Sequence, residues 1–475
     1  MLMFLGFFEL LPIITALVSG ELNLVLPFFI SSFFTVFLGG ALFLSFQNPK
    51  DRASRHEIIL LMIIIWFGLP LFASLPFMIT GFMTKLADAY FEATSALTTT
   101  GSSLVINLDL VPKTIIFWRS LLQWLGGMLV FVMAIAILPL SAIGGMNLFR
   151  SLLPHGEGDD LLARMRYAIT PLFRIYTGMT VTCVILLVIS GMGGFDAMLM
   201  AMATVSSGGF TSHGVPEANS MSGLTEFILI PFMIFAATNM TFHWAFLKRG
   251  RINIYRQDPE IFSFLYILLG AALFIFIILA LSGGMTEANL LKKAGLAVFT
   301  AVSSMTTTGF MPDYAAALPG SVVIICVMLM FIGGTTGSTA GGLKILRISL
   351  LKRQADKEIS RLTYPSSIIP VTFCGNVISR ATLISVWSLL FVFIVALSVI
   401  TALFGLLGYD LQSGFALTAT SIFSAGGLIP LLSPDFVGYH SLSFAGKWLT
   451  SFAMIAGRLE IIALLVFFMP SFWKN

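Results

Sequence analysis

The sequence predicts an all-α polytopic membrane protein of four pseudosymmetric repeats, each a helix, a short re-entrant segment and a second helix. Three observations predict it. Of the 475 residues, 57% are hydrophobic and only 10% charged, with mean hydropathy +0.98, whereas globular chains carry about a quarter charged residues. Apolar runs of membrane-spanning length recur throughout, where a β-barrel would show alternating segments of about ten residues. Finally, one string returns three times. Phe91-Glu92-Ala93-Thr94-Ser95-Ala96-Leu97-Thr98-Thr99-Thr100-Gly101 is echoed at Met202–Phe210, at Phe299–Phe310 and more loosely at Leu417–Gly427. From Gly101 to Gly208 is 107 residues, to Gly309 another 101 and to Gly426 another 117. Spacing that regular marks an internal repeat.

Residues 1–56 supply two helices, Met3–Ser19 and Leu22–Phe46, and the basic loop Asn48–His56. The opening run lacks a basic n-region and a small-residue cleavage site, so it reads as a retained helix. Repeat 1 (57–150) has spans at Ile58–Ile79 and Thr114–Leu140, with a half-length helix between them from Asp88 to Leu97. Repeats 2 (151–256), 3 (257–361) and 4 (362–475) follow the same plan within Tyr167–Leu247, Ile261–Leu351 and Val371–Met469. That gives about ten spans and four inserted segments. Cys183, Cys326 and Cys374 lie far apart in apolar stretches and read as packing residues. Basic residues concentrate at Lys50–Arg55, Arg150–Arg166, Lys248–Arg256, Lys344–Arg361 and Lys474. Those loops are therefore cytoplasmic, both termini lie inside, and the inserted segments enter from the outer face. The net charge of +4 is a topology signal and gives no support for nucleic-acid binding.

A helix of ten residues is about 15 Å long and stops halfway across a hydrocarbon core of about 30 Å. Irregular backbone at that depth must be covered by protein or line a water-filled path. Four such strands around one axis would present rings of carbonyls to a dehydrated cation, with four helix C-termini adding negative potential. As the bland alternative, each string taken singly is an ordinary polar loop.

With Gln123-Trp124-Leu125-Gly126-Gly127-Met128, Ala136–Leu140 and Gly144–Arg150, these strings resemble the TrkH/TrkG potassium-uptake family of the Trk/Ktr/HKT superfamily. The resemblance covers essentially the whole chain. It implies that Thr99, Thr100, Gly101, Ser206, Ser207, Gly208, Thr307, Thr308, Gly309, Ser424, Ala425 and Gly426 coordinate potassium through backbone carbonyls. Glycine in all four copies matches potassium-selective members; a serine in the first would suggest sodium. The fourth copy departs from the family, carrying Phe423-Ser424-Ala425 where relatives usually have paired asparagines. The resemblance also implies a homodimer in the lipid of the inner (plasma) membrane and a cytosolic NAD/ATP-binding regulatory ring of the TrkA type. Potassium is then the substrate, and no bound organic cofactor is expected.

Gly333-Gly334-Thr335-Thr336-Gly337-Ser338-Thr339-Ala340-Gly341-Gly342 interrupts the last span of repeat 3. It is no phosphate loop, since no Gly-Lys-Ser/Thr follows and no strand precedes it. It reads either as an inter-helix turn or as a mobile intramembrane loop, and the resemblance implies a gate. Arg458, deep in the final span, must face a cavity or a partner. It either pairs with Glu460 or free carbonyls and only fastens helices, or sets a positive charge beneath the filter; the resemblance implies the second. Asp88 and Asp196 read as N-caps and Lys344 as a charge at the cytoplasmic edge. Glu92 either concentrates cations at the mouth or hydrogen-bonds behind the filter, and His243 reads as an interface residue. No catalytic constellation appears, so an enzyme is not expected. The alternatives are an ion-coupled secondary transporter with discontinuous helices, sodium/potassium symport, or a non-transporting scaffold or sensor.

Overall fold

The computed structural model describes residues 1–45, 55–136, 161–212, 223–250, 253–256, 258–282, 289–311, 318–364, 370–373 and 376–459. The basic loop around Lys50, the strings 137–140 and 144–150, Cys374, Glu460 and Lys474 lie outside them. Among the described residues seven helices are long and apolar enough to cross a membrane: Leu2–Ser19, Leu22–Ser45, Ile59–Ile79, Lys113–Met133, Ile169–Ile189, Pro259–Leu281 and Arg380–Leu406. The second span of repeat 2 is a pair, Gly223–Ala236 and Met240–Lys248, bent by 95°. That of repeat 3 is split into Gly320–Ile332 and Ile345–Thr363, and that of repeat 4 is represented by Phe444–Arg458. These account for the ten expected spans in an all-α, multi-pass membrane fold.

The four half-helices are Leu86–Leu97, Gly194–Ser206, Leu290–Met305 and Leu411–Ile422. Their last two turns are built from Ala, Ser, Thr and a few larger apolar residues, with Glu92 the one charged residue, and all of them are buried. A helix covered on all sides needs small residues, so that neighbouring backbones can approach closely without polar atoms meeting lipid. Two large apolar cores pack around these helices. One joins repeats 2, 3 and 4 through residues such as Phe264, Phe299 and Phe404; the other joins the N-terminal helices to repeats 1 and 2 through Phe28, Trp118 and Tyr176.

Several local expectations change. The first helix breaks between Phe8 and Leu11, because Pro12 cannot donate the hydrogen bond that would continue it. Asp88 and Asp196 are not N-caps. The capping positions are Lys85 and Gly193, and both acids fall in the first turn, where they complement the helix dipole. Asp88 pairs with Lys447 Nζ at 2.7 Å, joining repeat 1 to repeat 4. A two-residue hairpin, Thr372–Phe373 with Asn376–Val377, adds a β element that the hydropathy pattern did not announce.

Candidate functional site

The four half-helices end identically. The residues after the terminal turn, Thr99, Ser207, Thr307 and Ser424, all take left-handed backbone with φ of 53°, 52°, 54° and 55°. The following residue donates its N–H back across the turn in each case. Thr100 bonds Ser95 O at 2.9 Å, Gly208 bonds Ala203 O at 2.9 Å, Thr308 bonds Ser303 O at 3.1 Å and Ala425 bonds Thr420 O at 2.8 Å. This is the Schellman cap, which normally places glycine in the left-handed position. A β-substituted residue there costs on the order of 1 kcal/mol, and this chain bears it four times at one depth. Strain repeated so regularly makes these four positions candidates for function.

The cap also fixes the register. Gly101, Gly209 and Gly309 share φ of 79°, 74° and 77°. The structural partner of Gly101 in repeat 2 is therefore Gly209, one residue beyond the glycine that spacing selected. Ser206 moves outward with it, matching Thr98 and Thr306, whose hydroxyls all fold back onto the helix four residues earlier. The sequence could not choose between two adjacent glycines.

The ends meet in a closed ring. A Cβ on Gly101 would land on Gly208 O, and one on Gly209 would land on Thr308 O. One on Gly427 would land on Gly309 O. Repeat 4 closes onto repeat 1 where Gly426 N donates to Thr100 O at 2.7 Å. Each segment thus touches the next in the order 1, 2, 3, 4 and back to 1. Glycine is required because a side chain would occupy the place of a neighbouring carbonyl. The carbonyl of Gly208 also accepts from Gln123 Nε2 at 2.7 Å, so Gly208 O and Thr100 O each keep one further lone pair.

Behind the ring lie residues that sequence reasoning missed or left open. Glu92 is completely buried and accepts from Arg119 Nε at 2.7 Å, Ser103 Oγ at 3.0 Å and Leu104 N at 3.0 Å. It therefore braces the strand behind the ring and does not face the mouth. Arg119 stacks over the Phe210 ring at 4.4 Å, so the pair joins repeats 1 and 2. An arginine inside a membrane-spanning helix was the available signal. Phe423 occupies the position of Thr98 and Thr306 but points into the core, against Phe331 and Phe393 at 5.8 and 6.4 Å.

The 333–344 break lies directly against the ring. Gly341 N donates to Thr307 Oγ1 at 2.7 Å, and a Cβ there would strike Phe423 O. Arg458 donates to Thr98 O at 2.5 Å, to Thr339 O at 2.7 Å and to Thr99 Oγ1. Its guanidinium sits at the C-terminus of the first half-helix, where the helix dipole favours a cation. Below, Thr335 N donates to Ala237 O at 2.9 Å and Thr336 N to the buried Glu260 at 2.9 Å. Lys344 is not a free edge charge; its Nζ turns back to Ser338 O at 3.3 Å and to Ala340 O. The break at Thr238-Asn239 in repeat 2, not anticipated, thus docks on the break in repeat 3. His243 braces that bend through Thr238 Oγ1 at 3.0 Å and Tyr255 Oη at 2.8 Å. A cavity of about 60 Å³ lies between this loop, Gly457 and Arg458 on one side and Met62, Trp66 and Met133 on the other. Among the described residues no cluster of His, Cys, Asp or Glu is arranged to hold a resident metal.

Comparison with known proteins identifies the family and the fold. The family model TrkH, cation transport protein, matches residues 26–475. The Trk system potassium uptake protein TrkH of Vibrio parahaemolyticus is 32% identical over 455 residues, covering 94% of this chain and 92% of the relative. TrkG of Escherichia coli K12, also a Trk system potassium uptake protein, is 28% identical over 469 residues, covering 98% and 95%. The crystal structure of the potassium transporter TrkH from Vibrio parahaemolyticus superposes with a TM-score of 0.88 at 30% identity, covering 100% of this chain and 99% of that one. The chain therefore belongs to the TrkH family of cation transport proteins.

Proposed function

We propose that this protein is the potassium-translocating subunit of a Trk-type uptake system. The observation that carries the reading is the closed ring of four identically capped half-helices, each segment resting on its neighbour's carbonyl. Potassium would shed water against carbonyls of the residues around Thr99–Gly101, Ser207–Gly209, Thr307–Gly309 and Ser424–Gly426, with helix C-termini supporting the positive charge. The 333–342 loop and Arg458 form the gate on the inner side. Four pore repeats divide at residues 57–150, 151–256, 257–361 and 362–475, after two N-terminal helices. The inner membrane is the proposed location, with both termini cytoplasmic, supported by the placement of basic residues. A second copy and a cytosolic nucleotide-binding ring are the proposed partners, in keeping with relatives named as parts of a Trk system.

The two broken helices are a feature of ion-coupled transporters as well. Here both breaks belong to repeats of the same plan and bond each other, which supports the channel-like reading. Rescue of a potassium-uptake-deficient bacterium, with rubidium and sodium flux compared for wild type and Gly101→Ser, tests it. Wild type rescues growth, and the variant, whose Cβ would land on Gly208 O, loses potassium-dependent rescue together with preference for rubidium over sodium. Unchanged preference in a well-expressed variant sinks the filter assignment, and a wild type without flux sinks transport.

A further inference from the structure

We propose that the four left-handed hydroxyl residues form an inner ring of unequal halves, in which Thr99 and Thr307 are the latch that holds the gate shut. This rests on the channel-like reading above. Ring order places repeats 1 and 3 opposite each other, and their left-handed residues are threonines; repeats 2 and 4 carry serines. Of these four hydroxyls, those of the threonines are the ones bonded to the loop and to Arg458 among the described residues. Thr307 Oγ1 accepts the buried Gly341 N–H at 2.7 Å, and Thr99 Oγ1 accepts from Arg458. Arg458 also holds Thr339 O at 2.7 Å, so both contacts tie one loop to two facing quarters of the ring. Ser207 Oγ instead donates to its neighbour Ser206 O at 2.7 Å, and Ser424 Oγ is buried without a protein partner among the described residues.

The difference has a chemical reason. The γ-methyl of threonine stiffens χ1, so its hydroxyl is held as a fixed acceptor, whereas a serine hydroxyl swings freely. The loop approaches closely enough only because Gly341 has no side chain to meet Phe423 O. Opening therefore requires that the Gly341–Thr307 bond break and that Arg458 release either Thr339 O or its ring partners Thr98 O and Thr99 Oγ1, while the lower bonds to Ala237 and Glu260 hold the loop to repeats 2 and 3. Thr99 and Thr307 act as positioning residues for the gate, separate from any carbonyl ligation of the ion.

The test uses the purified full-length protein in liposomes without its partner, reading rubidium flux and hydrogen–deuterium exchange over residues 333–344. Thr307→Val keeps the shape and removes the acceptor. It raises flux about fivefold, the loss of one neutral hydrogen bond, and speeds loop exchange. Thr99→Val acts in the same direction and less strongly, because Arg458 keeps its bonds to Thr98 O and Thr339 O. Thr307→Ser restores the acceptor and returns most of both readouts, whereas Ser424→Ala leaves loop exchange at the wild-type rate. Equal loop exchange in Thr307→Val, Ser424→Ala and wild type overturns the latch. Faster exchange in Thr307→Val without rubidium flux from any variant upholds the latch and overturns the transport reading.

Discussion

The third and fourth ring segments share a backbone for three residues and then part. Thr306-Thr307-Thr308 and Phe423-Ser424-Ala425 have the same left-handed residue and the same back-bonded N–H, although their side chains differ in size and polarity. At the next residue Gly309 takes φ of 77°, while Gly426 opens a short 3₁₀ turn and gives its N–H to Thr100 O. The lesson is that the helix cap carries the fold of the ring, and the residue before it faces the core. A phenylalanine is tolerated there because that side chain never points to the axis. Asymmetry enters one step later, at the glycine, where Tyr439 Oη also holds Gly426 O at 3.1 Å. Three segments extend alike and the fourth turns aside.

Glycine substitutions break this comparison hardest. Gly209→Ala adds strain at φ 74° and sets its Cβ on Thr308 O, so potassium-dependent rescue should be abolished. Gly309→Ala adds strain at a comparable φ, but its Cβ meets nothing nearer than Gly427 N at 3.3 Å. It should retain measurable rescue, with a loss of about 1–2 kcal/mol in thermal stability in detergent. If the two variants grow alike, carbonyl contact is not what demands glycine.

Phe423→Ala comes next. Removing a core phenylalanine costs about 3–5 kcal/mol, read as a lower melting temperature, while the ratio of rubidium to sodium flux stays at the wild-type value. A changed ratio would mean that this position does face the ion.

Asp410 gives the smallest effect. It caps the fourth half-helix, accepting from Ser413 N at 3.0 Å, and hydrogen bonds from Ser413 hold its carboxyl below the usual carboxylate range. A depressed folded-state pKa adds stability above the unfolded value near 3.9 that disappears as pH falls through the folded one. Melting temperature should therefore drop slightly more steeply between about pH 5 and 3 in wild type than in Asp410→Asn. Parallel curves would show that the cap does not depend on charge.

Much of this architecture was legible in the residues. The four hydroxyl-glycine strings announced four half-helices, and Gly333–Gly342 announced a broken span. The paired break at Thr238-Asn239 was harder to see, because it contains no glycine and interrupts the apolar run by only two polar residues. Arg119 and Glu92 lie 27 positions apart on separate helices, so nothing in their local sequence declares them a pair. Glu260 likewise looks like an ordinary acid in a first helical turn until Thr336 arrives from 76 residues away.

By itself, then, the sequence determined the solvent, the repeat number and the stops marked by the hydroxyl-glycine strings and by Gly333–Gly342. Hydropathy and glycine chemistry act over a few residues, and those residues are contiguous. Only the tertiary structure decided the register of the ring, since the choice between Gly208 and Gly209 depends on where Thr308 O and Gly208 O lie in the assembled molecule. It also decided which hydroxyls meet the loop. Both are matters of ångström-scale contact between segments distant in the chain, from 34 positions for Thr307 and Gly341 to 359 for Thr99 and Arg458, and no local propensity encodes them.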